Sequence, residues 1–347
     1  MSELEHAVEI ARAPLPPLPP WLAAPAREAL ALRARWPHAL LIFGPEGVGK
    51  RAIAFHFARA LLCEAPAADG SACGQCPGCH YVEVGQHPDL RVVEPVEVDE
   101  GGLATPTEVI RIEAVRSLTQ WSQRTSHRGG AKVGIVIPAE KMHPPTANAL
   151  LKTLEEPPER TYLLLVAHQA GRLLPTISSR CQRHAVGLPS KAEALAWLES
   201  EGVRDAERSL AQAGGAPLSA RHSSDPGLQA ERRAWLAAIA DPQTLSPLAL
   251  AARVELGGKD QRRDRLAAAI DWLVAWTADL ARIAAGGRAA RNPDHSSALS
   301  ALSARVAPLA LFRYHRQLLQ QRALIGHPLQ PRLVAEALLI DYRALFD

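Results

Sequence analysis

The sequence predicts an α/β protein in which a covered, mostly parallel sheet occupies the first half and helices the second. Two near-continuous apolar runs, residues 38–43 and 161–167, are typical of strands that are covered on both faces of a parallel sheet. Amphipathic helical segments alternate with these runs, as they do in layered α/β domains. After Cys181 strand-like runs become scarce, and helical periodicity takes over.

A glycine-rich turn directly follows the first apolar run. It carries the residues of a phosphate-binding pattern: Gly44, Gly47, Gly49 and Lys50. In a strand, turn and helix of this kind, backbone N–H groups and the helix N-terminus hold phosphates while the lysine reaches their outer oxygens. The pattern requires Ser or Thr after the lysine to bind Mg²⁺. This chain has Arg51 there, and a guanidinium cannot bind a cation.

Four cysteines come after the helix that this turn begins: Cys63, Cys73, Cys76 and Cys79. Their spacings of nine, two and two intervening residues allow a closed tetrahedral Zn²⁺ site. Such a site is structural, because no position is left for a substrate. The alternatives are a metal-free reduced loop and a DNA-binding finger. A disulfide is disfavoured, since the N-terminus carries no secretory signal pattern.

Several local signals predict where helices begin and chain segments end. Residues 105–108 form a capping box with proline at the first helical position, which predicts a helix to about residue 121. Residues 190–193 form a second capping box. The segment 223–227 has the composition of a linker, and the proline-rich segment 14–20 is expected to bring Trp21 to the surface.

The segment 148–181 identifies a family. It reads NALLKTLEEPP, then a predicted strand, then Ser179-Arg180-Cys181. With the glycine-rich turn and the cysteine module, it resembles the clamp-loader branch of the AAA+ ATPases. The resemblance implies three regions: an AAA+ nucleotide-binding-like domain at 1–187 with a zinc module at 63–79, a small helical lid at 188–222, and an all-α collar for oligomerisation at 223–347.

The resemblance also implies roles for particular residues. The Ser-Arg-Cys triplet is similar to the family's arginine finger, so Arg180 would act in trans on the ATP of a neighbouring subunit; the alternative is a surface arginine in a salt bridge. Where the family has a metal-binding Asp-Glu pair, this chain has Pro138-Ala139, and Glu140 is a weak substitute. Without metal ligands no ATPase of its own is expected, and the phosphate loop is interpreted as vestigial. Weak nucleotide binding remains an alternative.

The function implied is that of a non-hydrolysing subunit of the DNA polymerase III clamp loader, part of the DNA-directed DNA polymerase (nucleotidyltransferase) holoenzyme. Its expected partners are gamma/tau and delta subunits, the sliding clamp and, through the complex, primed DNA. The alternatives are an ATP-hydrolysing gamma-like motor and a zinc-dependent DNA-binding protein. The net charge of +3 is weak evidence for nucleic acid. No apolar run approaches the length of a membrane span, so a cytoplasmic protein is expected.

Overall fold

The computed structural model describes residues 15, 17–98, 104–325 and 330–347. Residues 1–14 of the predicted 1–187 domain lie outside the described residues. The chain forms two compact units, and the boundary between them falls between Glu193 and Ala194. Among the described residues, no helix is both long enough and apolar enough to cross a membrane.

The first unit is built on a five-stranded sheet in which every neighbouring pair of strands is parallel. Its strands are β1 (Ala39–Phe43), β2 (Leu90–Val93), β5 (Lys132–Val136), β6 (Thr161–Ala167) and β7 (Gln182–Ala185), in the order β2-β5-β6-β1-β7. Its helices are α1 (Pro20–Ala31), α2 (Lys50–Leu62), α3 (Pro77–Glu83), α4 (Ile112–Ser122), α5 (Pro144–Glu155) and α6 (Pro175–Ser178). The predicted α/β class with a parallel sheet is confirmed.

The central strands are buried for the reason that the sequence indicated. β1 and β6 are near-continuous apolar runs, and β1 pairs along its whole length with β6, from Ala39 with Leu163 to Phe43 with Ala167. Helix α5 ends at Glu155, just before two prolines that cannot continue it. Its leucines at 150 and 154 are buried in the same core as the strand residues. The end of α5 and the start of β6 therefore lie where the sequence predicts them.

The predicted helix start at residues 105–108 is wrong. Residues 104–106 form β4 (Ala104–Pro106), which pairs in antiparallel fashion with β3 (Val96–Val98). The Thr105 hydroxyl donates to the Glu97 carbonyl at 3.2 Å, and the Thr107 N–H donates to the Pro95 carbonyl at 2.7 Å. These hairpin bonds use the groups that a helix cap would need, so α4 begins only at Ile112.

The second unit is mostly helical, as expected. Its helices are α7 (Lys191–Ser200, which begins just before the boundary), α8 (Ala206–Gln212), α9 (Pro217–Ser223), α10 (Pro226–Ile239), α11 (Pro247–Ala251), α12 (Lys259–Ala284), α13 (Ser296–Ser303), α14 (Pro308–Ala323) and α15 (Pro331–Arg343). The capping box at 190–193 is present, because the Ser190 and Glu193 side chains each accept the other residue's backbone N–H.

Two separate hydrophobic cores lie within this unit. A small one joins α7, α8 and α9 through Ala194, Leu198 and Leu210. A large one is built on α10 to α15 and includes Trp235 and Trp276, both fully buried. The predicted linker at 223–227 is wrong in extent, since Asp225 caps α10 and Pro226 is its first residue. The two cores are compatible with a lid at 188–222 and a collar at 223–347, and this division remains a prediction.

Candidate functional site

The glycine-rich turn connects β1 to α2, and its glycines have conformations or surroundings that exclude a side chain. A Cβ on Gly44 would lie 1.9 Å from the Val186 carbonyl oxygen. A Cβ on Gly49 would lie 2.8 Å from a Leu22 methyl group, and Gly47 and Gly49 both have positive φ. The structure therefore brings together the predicted loop residues Gly44, Gly47, Gly49 and Lys50 in a strand–turn–helix connection.

The loop is held by groups of the same unit. Trp21 is buried rather than at the surface, and its indole N–H donates to the Val48 carbonyl at 2.9 Å. The Lys50 ammonium donates back to the Pro45 carbonyl. Burial lowers the pKa of Lys50 to about 8, although the carboxylates of Glu46 and Glu140 act in the opposite direction. Hydrogen bonds from Trp21 in α1 and from Lys50 therefore hold the backbone of the loop.

Arg51, at the position where the pattern requires a metal ligand, forms an ion pair with Glu94. Glu94 directly follows β2, so it lies at the carboxyl edge of the sheet, where the phosphate loop also lies. A second bond joins Arg51 Nη2 to Glu94 Oε2 at 3.3 Å. The guanidinium therefore has an acidic partner of its own. The sequence analysis missed Glu94, because nothing local to it indicates a partner 43 residues away.

Glu140, the weak substitute for a metal-binding carboxylate, uses one of its oxygens within the fold. Its Oε1 accepts the backbone N–H groups of His168 at 2.8 Å and Gln169 at 3.0 Å, directly after β6 ends. This carboxylate therefore caps the end of a strand. Its other oxygen is buried and has no hydrogen-bond partner among the described residues. At the end of β5 the chain continues Ile137-Pro138-Ala139, which supplies no carboxylate.

Arg180 follows α6 and lies two residues before β7, the strand at the edge of the sheet. Its side chain is 35% exposed, and Nη2 is 2.6 Å from Glu155 Oε1 at the end of α5. Nη1 donates to the Thr176 carbonyl at 3.0 Å. The salt bridge of the alternative interpretation is thus present, but both of its members are accessible. An exposed pair of this kind contributes about 0–1 kcal/mol, so it is readily exchanged.

Arg180 lies far from the phosphate loop of its own chain. β7 runs parallel to β1, with Gln182 opposite Leu40 and Ala185 opposite Phe43. Arg180 is therefore level with the start of β1, whereas the loop begins after its end. The five residues of β1 separate the two levels, a rise of about 17 Å. The predicted finger therefore lies at the N-terminal ends of the parallel strands, and the predicted phosphate loop lies at their C-terminal ends.

The four predicted cysteine ligands form one cluster, whose sulfur atoms all lie within 4.8 Å of one another. Cys63 follows the last residue of α2, Cys76 caps α3, and Cys79 lies inside α3. The Cys63–Cys76 and Cys73–Cys79 sulfurs are 3.9 and 4.0 Å apart. A tetrahedral Zn²⁺ with bonds of 2.3 Å separates its sulfurs by about 3.8 Å. The four cysteines can therefore hold a metal ion of this kind.

Backbone N–H groups also point at the sulfurs. The N–H of Cys73 lies 3.2 Å from the Cys63 sulfur, and those of Cys76 and Cys79 lie 3.4 Å from the sulfurs of Cys73 and Cys76. Burial opposes ionisation of Cys76, but the N–H groups of Cys79 and Glu64 outweigh it and lower the pKa to about 6. Burial raises the pKa of Cys79 to about 12.

We expect one zinc ion per chain and its loss in Cys79→Ser. Cys79 is fully buried and is one of the four sulfurs, so a weaker ligand there opens a closed site. The measurement is zinc by elemental analysis of the purified chain. The control is Cys181→Ser, because Cys181 is buried but lies outside the cluster. Equal zinc in Cys79→Ser and in the unsubstituted chain would contradict the assignment.

Asp89 is a buried residue that organises the loop before β5. Its carboxylate is fully buried and accepts the Ser126 hydroxyl at 3.0 Å and the N–H groups of His127 and Arg128 at 2.9 and 3.0 Å. Lys132 is also buried nearby and donates to two carbonyls at the end of α4. Asp89 thus fixes the loop 126–128 that leads into β5.

The parallel sheet, the phosphate-loop connection after β1, and the mostly helical second unit define the class: an α/β protein of the P-loop type with an added helical unit. A family model described as "DNA polymerase III, delta subunit" matches residues 28–187. The chain is 45% identical over 204 residues to DNA polymerase III subunit delta' of Pseudomonas aeruginosa, covering 58% of this chain and 60% of that protein. The match therefore spans less than two thirds of that relative's length.

Two further relatives extend the comparison. Subunit delta' of Haemophilus influenzae is 30% identical over 246 residues, which is 70% of each chain. Subunit tau of Escherichia coli is 36% identical over 144 residues, covering 42% of this chain and 20% of that protein. The chain belongs to the DNA polymerase III delta' family.

Proposed function

We propose that this chain is a non-hydrolysing subunit of the DNA polymerase III clamp loader. It supplies Arg180 in trans to the ATP site of a neighbouring gamma/tau subunit. Through that complex it helps to load the sliding clamp onto primed DNA during replication. Membership of the delta' family supports this proposal, and so does the similarity to a tau subunit.

The observation that carries the trans role is the separation of Arg180 from its own phosphate loop. About 17 Å of strand lies between them, which is more than an arginine side chain can span. This accessible guanidinium lies at the other end of the strands, so it cannot reach a nucleotide in its own loop, which supports a role on a nucleotide held by another subunit. Its planar fork suits this task, because it bonds two oxygens of a phosphoryl group at once and is always charged.

The absence of hydrolysis follows from the charges around the loop. ATP hydrolysis needs a metal ion to neutralise charge that develops on the phosphates. Here the residue after Lys50 is a guanidinium paired with Glu94, and Pro138-Ala139 stand where a carboxylate pair is expected. The vestigial loop then serves as a packing element between Trp21 and the sheet.

The remaining parts of the proposal concern assembly. Zn²⁺ in the cysteine cluster has a structural role, joining the end of α2 to α3. Apolar side chains are exposed on α14 (Leu309, Phe312) and on α15 (Leu333, Ile340), which supports a collar that contacts gamma/tau and delta subunits. The cytoplasmic location expected from the sequence belongs to the same proposal.

Reconstitution tests the non-hydrolysing role. The purified chain with ATP and Mg²⁺ is expected to release no phosphate above a protein-free blank. Added to gamma/tau, delta, clamp and primed DNA, it is expected to raise ATP turnover and clamp loading, and the Lys50→Ala variant is expected to do so equally. Phosphate release by the chain alone that Lys50→Ala abolishes would identify a motor instead. Salt-sensitive DNA binding that is lost with zinc would identify a DNA-binding protein.

A further inference from the structure

The second unit contains a groove of about 460 Å³ between α10 and α12, with the 3-10 turn Ala252–Glu255 as its third wall. Nothing in the proposed function uses it. We propose that the groove binds an extended peptide segment of a partner protein, in which an aromatic or aliphatic residue is followed about four positions later by a basic residue. The site is independent of Arg180 and of the phosphate loop.

One end of the groove is aromatic. Trp235 and Trp272 line it with ring centroids 6.2 Å apart; Trp235 belongs to the core, while Trp272 is only partly buried. Leu228, in the first turn of α10, lines the groove between Asp225 and Trp235 and is 37% exposed. Indole rings offer large, rigid apolar surfaces at low conformational-entropy cost, which suits an aromatic or aliphatic anchor.

The charges of the lining favour a basic group at the other end. Arg253 donates to Glu231 through two bonds of 2.9 and 3.1 Å, and Arg265 approaches the same carboxylate at 3.7 Å. Both guanidiniums of the lining therefore already have an acidic partner. Asp225 and Asp264 are exposed, and the lining has one more carboxylate than guanidinium. A cationic side chain complements this end of the groove.

The helix geometry sets the spacing of the two features. Asp264 and Trp272 lie eight residues apart on one face of α12, a rise of about 12 Å. Asp225 and Trp235 lie ten residues apart along the other wall, a rise of about 15 Å. An extended peptide advances about 3.3 Å per residue, so anchor and base should be separated by about four positions. A helical peptide would need about eight.

The test uses defined peptides and the full chain. Fluorescein-labelled Phe-Gly-Ser-Gly-Lys is expected to bind saturably by fluorescence anisotropy. The matched peptides Phe-Gly-Ser-Gly-Glu, with the opposite charge, and Phe-Lys-Gly-Ser-Gly, with the wrong spacing, are expected to bind at least about tenfold more weakly, a difference of about 1.4 kcal/mol. A peptide with eight-residue spacing serves as the helical comparison.

Two exposed substitutions locate the site. Asp264→Asn is expected to weaken only the lysine peptide, by about fivefold or more, and Leu228→Ser to weaken all peptides that share the phenylalanine. The matched controls Glu199→Gln and Leu248→Ser, exposed outside the groove in the same unit, should leave peptide binding unchanged. Absent saturation, equal binding of the lysine and glutamate peptides, preference for the eight-residue spacing, or indifference to both groove substitutions would each overturn the proposal.

Discussion

Arg180→Ala is expected to lower ATP turnover at the neighbouring gamma/tau site of the proposed complex by about 10³-fold, the lower end of the range for arginine fingers. The guanidinium would stabilise charge on the transferring phosphoryl group, and alanine provides no substitute. The measurement is phosphate release by a reconstituted complex in which the other ATP sites have been inactivated through their own phosphate-loop lysines. ATP binding by the complex should change far less than turnover.

Two variants separate the finger from a surface ion pair. Glu155→Gln removes the carboxylate that holds Arg180 at 2.6 Å but keeps the guanidinium, so turnover should stay within about fivefold of the unsubstituted complex. Arg180→Lys keeps the charge but loses the fork, and we expect an intermediate loss. Unchanged turnover with Arg180→Ala would show that the arginine only pairs with Glu155.

Asp89→Ala is expected to reduce the free energy of unfolding by about 3–5 kcal/mol, as the removal of one partner from a buried charged network does. The carboxylate has no exposed surface and accepts from Ser126, His127 and Arg128. Without it, two backbone N–H groups lose their acceptor, and the buried Lys132 loses its nearby negative charge. The measurement is urea denaturation followed by circular dichroism.

Glu97→Ala provides the comparison for this loss. Glu97 forms a 2.6 Å ion pair with Arg111, but about half of each side chain is exposed. Its removal should change the free energy of unfolding by less than about 1 kcal/mol. If Asp89→Ala lowered the free energy of unfolding no more than Glu97→Ala, the donors of residues 126–128 would have found other acceptors. The structural role given to Asp89 would then be wrong.

The parts of the fold that the sequence predicted are those specified by local chemistry. The run 161–167 is almost entirely apolar and comes shortly after two prolines, and strand β6 has the predicted limits. The cysteine cluster was predictable because its four residues lie within 17 positions of one another. The phosphate-loop glycines form a recognisable pattern, and the structure shows why they are needed. Val186 lies too close to Gly44, and Leu22 too close to Gly49, to leave room for a Cβ atom.

The errors and omissions share a cause, which is pairing with a distant segment. The capping box at 105–108 has a good local pattern, yet β3 supplies a hairpin partner that takes its hydrogen bonds. Trp21 is buried because its indole meets the Val48 carbonyl, 27 residues away. The composition around Pro226 is typical of a linker, but Asp-Pro also begins helices. Here Asp225 and Pro226 begin α10, whose apolar residues pack into the large core of the second unit.

The ion pair of Arg51 with Glu94 links the residue at the metal-ligand position to the stability of the fold. Arg51→Thr alone would restore the metal-binding hydroxyl, but it would leave Glu94, whose side chain is only 19% exposed, without its cation. Pro138-Ala139 would still provide no acidic ligand. A single substitution that introduces a metal-binding hydroxyl is therefore expected to lower the free energy of unfolding before any second metal ligand is in place.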